Sequence, residues 1–286
     1  MLKTHNHADL IWEFPKTGIV RIPTSSWIRN GKDLLPVSSL TIHEEEAALS
    51  YDHDRITLTM NFEYHPAVSM VIQKIAIKVH RPTAKLLLDL QFEPELPDAL
   101  NWLTIPGLFY GDNNLSADRV KYPKDIKANW SFRADASPCP GIHLPGERFG
   151  YAVFLANDHI DYQGQSPLKA GIDDVMGIGW EVSPIGWRQA RFTYPCQEIP
   201  YRYHRPDKLE RPIEPRFHSE AGDEFQFRIY HFLTEPGRQG YFKPVRMMAE
   251  RNRPERLDQR QQRARIGKTA ALFLECMRDA HFVPGV

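Results

Sequence analysis

Residues 55–64, RITLTMNFEY, alternate strictly between apolar and polar side chains. This period of two is typical of a β-strand that buries one face. The three residues at 52–54, DHD, favour a tight turn and separate this strand from the preceding run AALSY at 47–51. We therefore predict a β-hairpin whose buried face carries Ile56, Leu58, Met60, Phe62 and Tyr64.

The same alternation recurs along much of the chain. It continues through 71–79 and 86–92, and no ten-residue helical stripe separates these segments. Later strands are predicted at Tyr151–Leu155, Ala190–Tyr194 and Glu224–Leu233. Because parallel strands need long crossover connections, which are usually helices, the pattern predicts an all-β, antiparallel meander.

The pattern changes after the last strand, where Glu235, Pro236 and Gly237 interrupt it. Beyond them, 241–251 and 256–278 have the composition and spacing of helices. The second predicted helix carries an apolar stripe made of Ala270, Ala271, Leu272, Leu274 and Met277. An apolar stripe left in water is adhesive, so we expect it to pack on a second copy or a partner chain; the alternatives are that it folds back on the β domain or frays.

Composition excludes several classes of function. The 286 residues contain 36 basic and 36 acidic side chains, so no global field favours nucleic acid or a membrane surface. No stretch is apolar enough to span a bilayer, and the N-terminus lacks signal-peptide features, which together predict a cytoplasmic protein. Three widely spaced cysteines predict neither a disulfide framework nor a zinc site, and we expect no metal and no cofactor.

The connection from Trp102 to Gly141 combines aromatic rings with carboxylates, amides and arginines. Rings can stack on the C–H faces of sugars while planar polar groups bind hydroxyls, so this segment predicts a carbohydrate site. We expect it to line an open cleft with Tyr110 and Trp130 partly exposed; the alternative is a purely structural crossover. The predicted substrate-binding residues are Tyr110, Asp112, Asn113, Trp130, Arg133 and Asp135.

Four motifs carry a resemblance to a known family: IPGLFYGDN at 105–113, YPK at 122–124, WSFRAD at 130–135 and GIGWE at 177–181. With the closing strand and helices that follow, they resemble the N-terminal portion of bacterial six-hairpin glycosidase-like proteins. The resemblance implies a large antiparallel β-supersandwich, related to the galactose mutarotase fold, followed by a short helical segment. It therefore implies a sandwich domain at 1–235 and, at 236–286, a helical linker and the start of a helical toroid.

In that family the sandwich contributes substrate contacts, while the catalytic carboxylates generally come from the toroid. The resemblance thus implies a carbohydrate-recognition portion that is not catalytic alone and that works with a helical catalytic domain or partner chain, or self-associates through its C-terminal helix. Asp112 and Asp135 are the candidate catalytic carboxylates in the loop, although their spacing does not show that they face each other.

Two other functions stay open. The chain could be a stand-alone sugar-active enzyme, a glycoside hydrolase or an epimerase, or it could be a structural or interaction module. A mutarotase, which is an epimerase of this kind, needs an acid and a base that straddle the ring oxygen and the anomeric hydroxyl, and His143 with Glu147 or His159 with Asp161 could supply them. Ordinary loop residues are the alternative for both pairs. We expect His231, among aromatic strand residues, to be a hydrogen-bonded core histidine.

Overall fold

The computed structural model describes residues 1–5, 8–14, 18–96, 98–100, 102–110, 129–156, 161–163, 175–182, 188–197 and 217–251. This part of the chain forms twenty β-strands, three short 3-10 turns and one α-helix, α1 (Phe242–Arg251). The strands are β1 (Leu2–His5), β2 (Asp9–Phe14), β3 (Gly18–Ile22), β4 (Ile28–Asn30), β5 (Asp33–Leu34), β6 (Val37–His43), β7 (Glu46–Tyr51), β8 (Ile56–His65), β9 (Met70–Val79), β10 (Thr83–Pro94), β11 (Thr104–Ile105), β12 (Phe109–Tyr110), β13 (Trp130–Arg133), β14 (Gly141–Leu144), β15 (Gly150–Leu155), β16 (Asp161–Gln163), β17 (Gly177–Val182), β18 (Arg188–Tyr194), β19 (Phe217–Ser219) and β20 (Glu224–Thr234).

The strands form two large antiparallel sheets, which confirms the predicted all-β sandwich with a short helix. The first sheet has the order β1-β2-β3-β10-β18-β17-β13, with β4 and β19 also paired to β10 and β5 paired to β4. The second sheet has the order β12-β11-β14-β15-β20-β9-β8-β7-β6, with β16 also paired to β20.

The predicted hairpin is confirmed as β7 and β8, whose register pairs Leu49 with Leu58 and Tyr51 with Ile56. All three turn residues at 52–54 have positive φ angles, between 47° and 64°. Asp and His tolerate this left-handed conformation better than most side chains. Short polar residues at this point therefore set the register of the strands on both sides.

The meander prediction holds from β6 to β9 but is wrong for β10. β10 leaves the second sheet and becomes the central strand of the first, while β20 takes the place beside β9. From Leu86 to Pro94 every residue of β10 is buried, on both faces of the strand. Burial on both faces is characteristic of a central strand rather than of the edge of a meander.

A single apolar core lies between the two sheets. β8 contributes Leu58 and Met60 and β10 contributes Leu88 and Phe92, all of which are at most 2% exposed. A second, smaller cluster lies on β9, β15 and β20 and includes Phe232 together with Met248 of α1. The helix thus covers part of a sheet face that the core does not use.

Two glycines of the first sheet lie inside a strand and not in a turn. Gly177 and Gly179 belong to β17, where they face β13 and β18. A Cβ atom at Gly179 would lie 1.9 Å from the carbonyl oxygen of Trp130 on β13. Glycine is needed here because a neighbouring backbone approaches closely, and not because the chain turns.

We expect Gly179→Ala to lower the free energy of unfolding by about 3 kcal/mol, because the added methyl group must push β13 away from β17. An unobstructed glycine-to-alanine change in a strand instead gains roughly 0.5–1 kcal/mol. Chemical denaturation of the wild type and of Gly179→Ala gives the sign of the change in the free energy of unfolding. A stabilised variant would show that β13 is not packed against Gly179.

The chain divides into two units, Met1–Met248 and Ala249–Val286. Of the second unit, the structure describes only residues 249–251. The predicted helix at 241–251 is confirmed by α1, whereas the predicted helix at 256–278 and its apolar stripe lie outside the described residues. The predicted division at 235 and 236 therefore stays a prediction. Within the described segments, no helix is both long and apolar enough to cross a membrane.

Candidate functional site

The central strand of the first sheet presents polar side chains on the face that turns away from the core. Leu88, Leu90 and Phe92 point into the core, so the alternating residues Asp89, Gln91 and Glu93 must lie on the opposite face. We call this surface the polar face. By strand register it comprises Asp89, Gln91 and Glu93 of β10, Gln189, Arg191 and Thr193 of β18, Gly177, Gly179 and Glu181 of β17, and Ser131 and Arg133 of β13.

The centre of the polar face is a buried ion pair. Arg191 Nε donates to Asp89 Oδ1 at 2.6 Å, and its Nη2 donates to Oδ2 at 2.8 Å. The Asp89 side chain is fully buried, and Arg29 Nε lies 3.4 Å from its Oδ2. Glu181 lies 3.6 Å from Arg191 on the other side. Four side chains of alternating charge thus cross four strands, β4, β10, β18 and β17.

This arrangement keeps Arg191 charged although it is largely buried. Burial by itself lowers the pKa of the guanidinium, but the hydrogen bonds and charge of Asp89, with the charge of Glu181, raise that pKa above its ordinary value. A bidentate arginine–carboxylate pair is planar and rigid, so it fixes the geometry of the face around it. The side chains at the centre of the polar face are therefore held in fixed positions by one another.

A second row of polar groups lies beside this pair. Gln189 Nε2 donates to Glu93 Oε2 at 3.4 Å, and register places Glu181 on the far side of Gln189. Glu93 is 8% exposed, and its Oε1 has no hydrogen-bond partner within the described residues. Gln91 Oε1 accepts a hydrogen bond from Ser26 at 3.3 Å. A buried carboxylate oxygen without a donor is costly to the fold, which makes it a feature that needs explanation.

The structure brings two of the predicted site residues to the edge of this face. Arg133 ends β13 opposite Gly177, and its guanidinium binds Asp135 through bonds of 3.0 and 2.6 Å. Both side chains are partly exposed, at 21% and 34%. Arg133 and Asp135 therefore border the polar face, although the sequence placed them in a loop.

The expectation that Trp130 would be partly exposed is wrong. Trp130 is 6% exposed and stacks on Trp180, with ring centroids 6.3 Å apart and planes 11° apart. The reason is that WSFR forms β13, which directs Trp130 and Phe132 into the core and Ser131 and Arg133 to the polar face. Trp130 supports the site from beneath and does not line a cleft.

The remaining predicted residues cannot be placed in the same way. Asp112 and Asn113 lie outside the described residues, and Tyr110 is described only as part of the backbone of β12. A catalytic role for Asp112 or Asp135 therefore stays a prediction.

The proposed acid–base pair of His143 and Glu147 is not formed. His143 lies in β14, fully buried, with Nε2 3.0 Å from the Thr234 hydroxyl, whereas Glu147 is exposed in the following turn. Burial lowers the pKa of His143 to about 3, so its ring is neutral at pH 7. His159, of the other candidate pair, lies outside the described residues.

His231 is the core histidine that the sequence predicts. Its Nδ1 lies 2.7 Å from the Tyr151 hydroxyl and its Nε2 lies 2.9 Å from Gln73 Oε1, so both ring nitrogens have partners. Burial lowers its pKa to about 3 as well. It belongs to a closed network in the core and contributes nothing to the polar face.

Comparison with known proteins does not assign a family. No family model and no curated protein matches the sequence. Among solved structures, the GH36 alpha-galactosidase AgaA from Geobacillus stearothermophilus matches 77% of this chain at 11% identity with a TM-score of 0.36. The alpha-galactosidase from Lactobacillus brevis matches 82% at 11% identity, with a TM-score of 0.37.

The galactosidase domain of the alpha-galactosidase-sucrose kinase AgaSK matches 76% of this chain at 9% identity, with a TM-score of 0.36. The chain spans less than a third of the length of these proteins, between 26% and 29%. At these identities and TM-scores the matches do not establish a family for this chain.

Proposed function

We propose that this chain is a carbohydrate-recognition domain that binds a hydroxyl-rich ligand on the polar face of the first sheet. The observation that carries the proposal is the Glu93 carboxylate, whose Oε1 is itself buried and has no donor in the described part of the chain, so a ligand that binds it must displace the groups that cover it. A sugar hydroxyl is a suitable donor, since a charge-assisted hydrogen bond of this kind contributes roughly 1.5–3 kcal/mol.

The surrounding groups suit the same ligand. Gln91 and Gln189 each offer amide donors and acceptors, and Glu181 offers a second carboxylate at the more exposed side of the face, with its side chain 33% exposed. Because Asp89 and Arg191 already hold each other, binding would not require the centre of the site to become ordered. A rigid array of planar acceptors and donors is what selective hydroxyl recognition requires.

We propose further that the chain needs a helical catalytic domain or partner chain for hydrolysis. Hydrolysis requires two carboxyl groups, one protonated and one ionised, on either side of the glycosidic bond. Asp89 is ion-paired with Arg29 and Arg191, so it cannot act as a free acid or base. The domain would then position a sugar for chemistry carried out elsewhere.

A stand-alone enzyme is the second candidate, and one observation favours it. Glu93 and Glu181 lie two strands apart in one row, which corresponds to roughly 10 Å between their Cα atoms. Two carboxylates on one face could act as acid and base in an inverting hydrolysis. Turnover of aryl glycosides by the purified chain, abolished by both Glu93→Gln and Glu181→Gln, would support this candidate; we expect none.

The proposed site is tested with a glycan panel followed by calorimetric titration of the best-retained glycan. We expect Glu93→Gln, which keeps the shape of the side chain but removes its charge, to weaken binding roughly 10- to 100-fold. Glu224→Gln is the matched control, because Glu224 is a partly exposed glutamate whose salt bridge to Lys78 lies on the other sheet. It should leave the affinity unchanged.

Two outcomes would contradict the proposal. If no glycan of the panel binds the folded chain, the polar face is a structural network only. If a glycan binds with the same affinity to wild type, Glu93→Gln and Glu224→Gln, its site lies elsewhere on the chain.

A further inference from the structure

One row of the polar face consists mainly of hydrogen-bond acceptors. Strand register places Glu93 of β10, Gln189 of β18 and Glu181 of β17 side by side, so the two carboxylates lie on either side of the amide. We call these three residues the acceptor row. An ionised carboxylate accepts hydrogen bonds and donates none, and the Gln189 amide already directs its Nε2 toward Glu93 at 3.4 Å. The acceptor row therefore suits a ligand group that is rich in donors.

The centre of the polar face also carries more negative than positive charge. Its carboxylates belong to Asp89, Glu93 and Glu181, and its guanidinium groups belong to Arg29 and Arg191. Asp89 contacts both arginines, and Glu181 lies 3.6 Å from Arg191. Glu93 has no ion-pair partner in the described part of the chain, and its Oε1 has no donor there. Three carboxylates thus face two guanidinium groups, and one negative charge is left uncompensated.

The neighbouring ion pairs do not change this surplus. On the β13 side Arg133 binds Asp135 at 2.6 Å, and on the β3 side Arg21 binds Glu95 at 2.7 Å. Arg21 lies opposite Glu93 in register, but its Nε and Nη2 both donate to the Oε1 atom of Glu95. Each of these pairs is neutral, so the surplus stays with the acceptor row.

The acceptor row is most accessible at Glu181. The Glu181 side chain is 33% exposed and Gln189 is half-buried, whereas Glu93 is only 8% exposed. A ligand that enters from the Glu181 side therefore meets a carboxylate and an amide before it reaches the covered Glu93. Groups that cover the row have to be displaced mainly at Glu93.

We propose that the ligand of the polar face is an amino sugar, with its ammonium group over Gln189, between the carboxylates of Glu93 and Glu181. The inference rests on the proposed function, because it names the class of sugar that the polar face binds. An ammonium group carries three donors, no acceptor and a positive charge, so it serves the acceptors and compensates the surplus together. A neighbouring hydroxyl of the same sugar is left to bind Glu93 Oε1. An anionic sugar is disfavoured, because every described guanidinium group of the face already contacts a carboxylate.

The test compares matched sugars in calorimetric titrations of the full chain. The probes are galactosamine and glucosamine, their N-acetyl derivatives, and galactose and glucose. We expect at least one amino sugar to bind about tenfold or more tightly than both of its neutral counterparts. The preference should weaken at high salt, and also as the pH rises through the titration of the sugar amine, whereas the affinity of the neutral sugars should change little. This comparison needs only the wild-type chain.

Glu181→Gln separates this inference from the proposed function. The variant keeps the shape of the side chain but removes one of the two carboxylates beside the ammonium group. It should reduce the preference for the amino sugar several-fold while changing the affinity for the neutral sugar by less than about twofold. Glu93→Gln should weaken the binding of both kinds of sugar. Glu224→Gln, on the other sheet, should leave both affinities unchanged.

The inference is overturned if neither amino sugar binds more tightly than its neutral counterparts, or if Glu181→Gln leaves a measured preference intact. Ethanolamine that binds as tightly as the amino sugars would overturn the assignment to a sugar, because the amine alone would then explain the affinity. If neutral glycans bind and are weakened by Glu93→Gln, but no preference for an amine exists, the proposed function stands and this inference fails. If no glycan binds, whether neutral or cationic, both fail.

Discussion

Replacing Asp89 with alanine is expected to lower the free energy of unfolding by about 3–5 kcal/mol, because Arg191 would be left charged and largely buried without its partner. Asp89 is fully buried and accepts two short hydrogen bonds from Arg191, with Arg29 3.4 Å away. A loss of this size is a large fraction of the stability of an ordinary domain. Urea denaturation of the purified variant measures it directly.

The control for this effect is Glu224→Ala, which breaks an exposed salt bridge of similar length, 2.7 Å, to Lys78. Exposed pairs contribute only about 0–1 kcal/mol. If Asp89→Ala costs no more than Glu224→Ala, the pair across β10 and β18 does not organise the polar face. A double variant, Asp89→Leu with Arg191→Met, should recover part of the loss, because it removes both buried charges.

A second large effect is expected on acidification. Burial lowers the pKa values of His143 and His231 to about 3, whereas unfolded histidine titrates near its ordinary value of about 6.5. As the pH falls below about 6.5, each of these two histidines therefore takes up a proton in the unfolded chain but not in the folded chain. The contribution of the two neutral histidines to the free energy of unfolding is fully present above that pH and is lost as the pH falls toward 3. Between pH 7 and 5 the free energy of unfolding should fall by about 4 kcal/mol for the two residues together.

Denaturation at several pH values between 7 and 5 checks this slope, since most carboxylates titrate below that window. His231→Gln keeps a hydrogen-bonding side chain but cannot take up the proton, so it should remove about half of the slope even if it lowers stability overall. His43→Gln, at an exposed position on β6, should leave the slope unchanged. A flat profile in the wild type would mean that neither buried ring is protected from protonation.

Local sequence was enough to predict the elements whose partners are near in sequence. β7 and β8 alternate cleanly and are joined by three residues that suit a left-handed turn, so the hairpin follows from a segment of about twenty residues. α1 was predictable because Pro236 and Gly237 end the strand before it and a helical pattern follows.

Pairings between distant segments could not be predicted in the same way. β10 pairs with β18, with Leu88 opposite Tyr194, although the alternation of β10 looks like that of its sequence neighbours. What distinguishes β10 is that it is buried on both faces, and this depends on segments a hundred residues away. Alternation gives the face of a residue but not the sheet to which its strand belongs.

Of the candidate site, the sequence predicts only residues that lie at its edge. Arg133 and Asp135 have side chains suited to a binding site and do border the polar face, but the sequence predicts an exposed Trp130 because WSFR lies in a segment without a clear strand pattern. Four residues are too few for a period of two to stand out. Asp89 and Gln91 were visible in the sequence as the polar half of a strand, and only the structure shows that Glu93 and Arg191 join them there.

A crystal structure of the chain with the best-retained glycan bound would show whether the polar face holds the ligand. We expect a sugar hydroxyl about 2.6–3.0 Å from Glu93 Oε1, with Gln189 or Glu181 bound to a neighbouring hydroxyl and the Asp89–Arg191 pair unmoved. A glycan seated away from β10 and β18, with Glu93 Oε1 bonded to another part of the protein, would contradict it.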